Sequence, residues 1–427
     1  MFAKIKPFIA LYTAVIFMMT GIGMLNTYLG LRLSFEGVST HITGLVMTTY
    51  FIGLIVGTFY CRRIILSVGH IRAYCAFIAV TTSVTLIHGL VVSAPLWAAF
   101  RFFSGVANMG LFMVIESWFS ECAEPEVRGK IFSIYMIMAY LGAGMGQKLL
   151  NIGDALGQTV FLVAGVFLIL SIIPVATTHV IHPTLPEAEQ INLKTIYKKA
   201  PIGMLGCFIT GLNNSAFYAM GSVFAHKIGL NISQVSWFMT LGIMGGLMFQ
   251  WPVGILSDRF DRSLMLPCQG AALTIVAGCA FLIGFESLTA LFCITTVFGG
   301  ILFSIYPVAV ARAHDIFKAR DVVKVSSALL LCMGVGTVMG PMLVSLLMTI
   351  SGTPLGFFVY YITTGSLLAV ATLLLRQKES VKIIPPDEQV DFVIMKKTSA
   401  VAMHMDPRRE THSESDNGNM AKLDKLS

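Results

Sequence analysis

Asp258, Arg259 and Arg262 stand close together in Gly254-Ile-Leu-Ser-Asp258-Arg259-Phe-Asp-Arg262, a short charged run between two long apolar segments. An acid at a helix end can accept from backbone amides or pair with an arginine, and the glycine four residues earlier lets a neighbouring helix approach closely. The chemistry on offer is an electrostatic latch between helical units at a membrane surface. About 197 residues earlier, Gly57-Thr-Phe-Tyr-Cys61-Arg62-Arg63 repeats the pattern: Gly57 matches Gly254, Arg62 matches Arg259, and Cys61 stands where Asp258 would be. A charged corner repeated at half the chain length in a very hydrophobic protein is the mark of a transporter built from two related helical bundles.

A second group lies along one apolar segment. Arg101 falls six residues after Pro95, well inside the membrane, where an arginine costs a few kcal/mol or more unless it is paired or hydrated. At about 100° per residue, Arg101, Gly105, Asn108 and Glu116 share one side of that helix. Glu116 is the one acid expected within a span. The next loop, Glu121-Cys-Ala-Glu-Pro-Glu-Val-Arg128-Gly129, puts a further acid seven residues ahead of an arginine. Glu121 is expected to bridge across this face to arginines such as Arg62, and Glu116 or Glu121 to serve the first-half latch where Cys61 replaces the loop acid. Asn26 in the first span, Asn214 and Tyr218 one turn apart in the seventh, and Tyr306 beside Pro307 in the tenth add polar groups that lipid would not tolerate unsatisfied.

These residues need elements to hold them, and composition says which. With 427 residues, 56% hydrophobic, 12% charged and a mean hydropathy of +0.80, the chain cannot be an ordinary soluble globule, which carries about 25% charge. Its apolar runs are continuous, which fits helices and excludes an alternating β-barrel. Twelve spans are expected near 7–31, 42–61, 71–92, 95–118, 130–150, 158–181, 202–224, 234–256, 264–284, 288–311, 325–350 and 354–376. The first is read as a retained span, because it is too long for a signal peptide and lacks a small-residue cleavage site. The expected organisation is a six-helix bundle over 1–181, a cytoplasmic linker over 182–201, a second six-helix bundle over 202–376, and a polar, disordered cytoplasmic tail over 377–427.

Arginine and lysine concentrate in alternate loops: Arg62, Arg63 and Arg72; Arg128 and Lys130; Lys194, Lys198 and Lys199; Arg259 and Arg262; Arg312, Lys318, Arg320 and Lys324. The positive-inside rule then makes both termini and these loops cytoplasmic. The net charge of +7 is accordingly topology, spread over several loops with no basic stripe for nucleic acid. The eight cysteines form no C-x-x-C pair, so neither a metal site nor a disulfide frame is expected.

Taken together, the chain resembles the major facilitator superfamily over about residues 5–376. Gly254-x-x-x-Asp258-Arg259-x-x-Arg262 is similar to that family's loop signature, Arg101-x-x-x-Gly105 to its buried-arginine motif, and Glu121 with Arg128-Gly129 to its charge relay. Val68-Gly69-His70-Ile71-Arg72, Glu116-Ser-Trp118, Tyr135-Met136, Gly146-Gln147, His314-Asp315 and Asp406-Pro407-Arg408 are similar to its bacterial branch known as YcaD-like. The resemblance implies an all-α membrane protein of two pseudo-symmetric six-helix bundles in a bacterial inner membrane, rocking around a central site lined by spans 1, 4, 7 and 10. The expected pocket is Asn26, Arg101, Asn108, Asn214, Tyr218 and Tyr306. The expected relay is Arg101, Glu116, Glu121 and Arg128, and the expected cytoplasmic gate is Gly57, Arg62, Gly254, Asp258, Arg259 and Arg262.

The functional expectation is a secondary transporter of a small organic solute, monomeric, proton-coupled and without cofactor. Arg101, with no acid at its level, favours an anionic or neutral polar solute. An efflux pump for amphipathic compounds fits the aromatic- and methionine-rich spans. A membrane enzyme lacks its signatures: there is no H-E-x-x-H and no G-x-S-x-G. A non-transporting sensor would not need the duplication.

Overall fold

The computed structural model describes residues 8–122, 125–154, 156–177, 193–283, 287–317, 321–378, 389–390, 392–393 and 399–406. These form twelve long helices: α1 (Ile9–Phe35), α2 (Thr40–Val68), α3 (His70–Leu90), α4 (Ala94–Cys122), α5 (Pro125–Lys148), α6 (Thr159–Leu170, continued after Ser171 as Ile172–Ala176), α7 (Pro201–Lys227), α8 (Ile232–Arg259), α9 (Arg262–Ile283), α10 (Leu288–His314), α11 (Val322–Ile350) and α12 (Gly356–Lys378). In lipid every backbone amide must bond within its own segment, so apolar runs of this length become helices. Ten are long and apolar enough to cross a membrane by composition alone. The exceptions are α5 and α7, whose glycines, tyrosines, asparagines and serines dilute their hydropathy. In α7 those groups are mostly buried against other helices, so protein rather than lipid decides its composition.

Local signals set the ends. The Ser39 side chain accepts from the Ile42 amide at the start of α2, and Asn231 and Gln234 form a reciprocal capping box at the start of α8. Gly69 (φ 85°) alone separates α2 from α3, a left-handed reversal that a side chain would resist.

Packing repeats in the two halves. In the first, α2 pairs with α4, α1 with α5, and α3 with α6; in the second, α8 pairs with α10, α7 with α11, and α9 with α12. Between the halves, α2 meets α11 as α5 meets α8, and α1 meets α7. The fold is therefore all-α, two pseudo-symmetric six-helix bundles facing each other.

The ends carrying the α2–α3 and α8–α9 corners define a basic face. On the opposite face the bundles touch directly: the Ser236 hydroxyl of α8 donates to Gln147 O of α5 (2.6 Å), the Lys148 ammonium lies over the Trp237 ring, and Ser34 of α1 pairs with His226 of α7 (2.8 Å). Of the segment expected as a linker, residues 193–199 form a short helix and the preceding ones lie outside the described residues. The tail from 377 reads as disordered in sequence, yet α12 runs to Lys378, and 389–390, 392–393 and 399–406 are seated on the basic face.

Candidate functional site

Arg101 is 1% exposed and its Nη1 donates to Asn26 Oδ1 at 2.7 Å, joining α4 to α1. Its guanidinium carbon sits 4.1 Å from the Tyr50 ring centroid, a cation–π contact in a desolvated place. The Tyr50 hydroxyl accepts from Asn108 Nδ2 (3.2 Å), and Asn108 Oδ1 accepts from the Thr81 hydroxyl (3.2 Å). Small residues make this possible. A Cβ at Gly105 would collide with Tyr50 O, and one at Gly53 with Phe102 O, so the two glycines let α2 and α4 run close enough to lay Tyr50 on Arg101. Among the described residues no carboxylate is paired with Arg101, and its Nε has no hydrogen-bond partner.

Beside it lies a cavity of about 110 Å³. Asn26 and Gly23 of α1, Tyr50 and Phe51 of α2, Arg101 of α4 and Tyr218 of α7 line it, with Met19, Met47, Met109 and Phe112 as apolar wall. The structure thus brings three of the six expected pocket residues, Asn26, Arg101 and Tyr218, onto one cavity. Asn108 stands behind it, holding Tyr50. Asn214 and Tyr306 do not line it. The lining helices are α1, α2, α4, α5 and α7 rather than the expected first, fourth, seventh and tenth, because the cavity sits toward the first half. Tyr50 escaped the sequence reading, since an aromatic in an apolar span looks like packing; its only signal is Gly53 one turn on, opposite Gly105.

The basic face carries the second constellation. Arg262, fully buried, donates Nη2 to Asp258 Oδ1 and Nη1 to Asp315 Oδ1, each at 2.6 Å, and Nε to the Ser257 hydroxyl at 3.0 Å. Burial pushes the Asp315 carboxyl up, while Arg262 and the Val390 amide pull it back. Arg259 of the expected gate is exposed and Arg62 is half-buried. Gly57 receives α4: a Cβ there would lie 2.8 Å from Met109 Cβ. Gly254 instead faces the Phe392 ring of the tail.

Glu116 corrects an expectation. It is fully buried, but among the described residues it bridges to no arginine. Its Oε1 accepts from the Tyr135 hydroxyl (2.7 Å), and its Oε2 from the Ser399 amide (2.9 Å) and the Ser399 hydroxyl. Arg128 lies at the start of α5, and the Glu121 side chain lies outside the described residues. Among the described residues no group of histidines, cysteines and acids has metal-holding geometry.

The sequence model of the Major Facilitator Superfamily matches residues 11–200 and 203–405. The chain belongs to the major facilitator superfamily. It is 30% identical over 389 residues, 90% of this chain and 98% of the relative, to the "Uncharacterized MFS-type transporter YE1530" of Yersinia enterocolitica. It is 29% identical over 348 residues, 80% and 89% of the two chains, to the "Uncharacterized MFS-type transporter YcaD" of Escherichia coli. Among solved structures, the nucleoside transporter NupG superposes with a TM-score of 0.72 at 12% identity, covering 88% of this chain and all of that one, a likeness of fold. The superfamily chain is an integral membrane transporter, and its relatives are transporters rather than enzymes.

Proposed function

We propose that this transporter carries a small organic solute with an anionic head and an apolar body by alternating access, driven by protons, with its basic face toward the cytoplasm of a bacterial inner membrane. The observation that carries the reading is Arg101: a buried guanidinium with no carboxylate partner among the described residues, beside a largely apolar cavity. In such surroundings a charge is poorly screened, so an entering anion gains far more from it than a neutral solute does. Asn26 and Tyr50 fix the guanidinium from two sides. Tyr218, whose hydroxyl has no hydrogen-bond partner among the described residues, gives the second half a hand on the same solute. Methionine and phenylalanine walls accept an apolar body without demanding one shape. Proton coupling rests on the family resemblance.

The test is thermal stabilisation of the purified protein by a panel of carboxylates, amino acids, sugars and lipophilic cations, because a ligand bound only by the folded state raises Tm by mass action. A shift with an amphipathic anion that vanishes in Arg101→Ala is the expected result. Shifts with lipophilic cations alone would replace it by the efflux reading, which the methionine-rich wall also favours.

A further inference from the structure

Three carboxylates on the basic face share a partner that is neither solute nor ion. Asp315 Oδ1 accepts from the Val390 amide at 3.0 Å, Asp258 Oδ1 from the Phe392 amide at 3.1 Å, and Glu116 Oε2 from the Ser399 amide at 2.9 Å. The Phe392 ring fills the space over Gly254, where a Cβ would lie 2.7 Å from it. The turn Ala400–Met405 then lies against α4 and α5 of the first half and α11 of the second. This is a seated segment: Ser399 is 2% exposed, Asp406 1%, and Ala402 and Met405 are fully buried.

We propose that the tail residues 389–390, 392–393 and 399–406 act as an intramolecular plug, which bridges the two bundles across the basic face and must leave its acids before that face can open. The inference rests on the alternating-access reading above. Glu116 belongs to the first half and Asp258 and Asp315 to the second, so a segment bound to both cannot keep its hydrogen bonds when the halves part there. The opposite face needs no such bridge, since helices meet directly at Gln147 and Ser236 and at Ser34 and His226. Glu116 is the anchor. It is buried in α4 and, among the described residues, accepts from the Ser399 amide and hydroxyl and from Tyr135, so losing the tail leaves a desolvated carboxylate with Tyr135 as its described partner until water enters. The plug therefore biases the resting protein toward a closed basic face, and recognition runs through backbone amides held by carboxylates.

The test needs no ligand. Spin labels are placed at Ser67→Cys on α2 and Leu264→Cys on α9, both exposed on the basic face, in full-length protein with the native cysteines replaced, and distances are measured by pulsed electron resonance in nanodiscs. Full-length protein should show mainly one short distance. Truncation after Lys378, and separately Ser399→Pro, which removes the amide hydrogen and hydroxyl together, should raise the ratio of long to short distances about tenfold, as losing charge-assisted bonds to a buried acid implies. Should the truncated chain not fold, Ser399→Pro decides. An unchanged distribution would overturn the plug; if Arg101-dependent ligand shifts persist in the same protein, the transport reading stands without it.

Discussion

The corner between α8 and α9 and the corner between α2 and α3 occupy matching places in the two halves, yet they are held by opposite forces. At the first, Asp258, Arg262 and Asp315 form an ion triad around a fully buried guanidinium. About 197 residues earlier the same positions are Cys61, Ile65 and Trp118, all buried, with the Cys61 thiol donating to Val106 O at 3.2 Å. The comparison teaches that such a corner works complete or absent. Two charges without the third would leave an uncompensated ion in a desolvated place, whereas an apolar set pays no desolvation at all. It also explains where the tail binds: the ionic corner has carboxylate lone pairs to offer its amides, the apolar corner has none, and Glu116, two residues before Trp118, supplies one instead.

The sharpest way to break the comparison is to remove one member of the triad. Asp315→Leu leaves buried Arg262 with the half-exposed Asp258 as its one remaining carboxylate among the described residues, and should cost about 3–5 kcal/mol, read as a lowered unfolding midpoint in detergent. Arg262→Met combined with Asp315→Leu imitates the apolar corner and should recover most of that loss. A double variant as unstable as the single one would show that the ionic corner does more than hold itself together.

The reverse exchange comes next in size. Cys61→Asp puts a carboxylate where the structure provides a carbonyl, and should destabilise by about 3 kcal/mol. Adding Ile65→Arg supplies the missing cation and should return about 1–3 kcal/mol as coupling between the two sites. Additive losses would mean that the corners are not interchangeable in shape.

Glycines sharpen the contrast further. Gly57→Ala drives a methyl to 2.8 Å from Met109 Cβ and 2.9 Å from Val106 O, between two spans that cannot both yield, and should cost about 1–3 kcal/mol. Gly254→Ala meets only the ring of Phe392, at 2.7 Å, and should cost under about 1 kcal/mol while loosening the tail. Equal losses in thermal unfolding would contradict the different partners assigned to the two glycines.

The sequence made the spans, the duplication and Arg101 legible for one reason. Lipid forbids unsatisfied backbone and stray charge, so every exception to apolarity stands out. The same rule hid Tyr50, whose role depends on a glycine-to-glycine approach between α2 and α4 that no single segment reveals. It hid the tail more completely. The stretch is short of helix signals, and the seats of Val390, Phe392 and Ser399 come from acids distant in the chain: Ser399 lies 283 positions from Glu116. Glu116 is legible in sequence as an acid within a span, but its partner is not, because that partner is a backbone amide that any residue type could supply.

The smallest effect concerns Asp261, which has no charged counterpart, since Ile64 holds its place in the first half. Burial pushes its carboxyl up, but the Ser263 hydroxyl (2.6 Å) and amide (2.8 Å), Arg312 and Arg376 outweigh this and hold it below the ordinary carboxylate range. A carboxyl depressed in the folded state contributes stability above its unfolded pKa of about 3.9, and that contribution fades as pH falls through the folded value. Because Arg376 is a third exposed, its ion pair with Asp261 is partly screened, and Asp261→Asn should cost up to about 1 kcal/mol at pH 7. The difference from wild type should shrink as pH falls below about 4, where wild-type Asp261 takes up a proton and resembles the amide. Ile64→Ala, its first-half counterpart, should show no such pH dependence, and a difference between Asp261→Asn and wild type that grew in acid would reverse the sign assigned to this carboxyl.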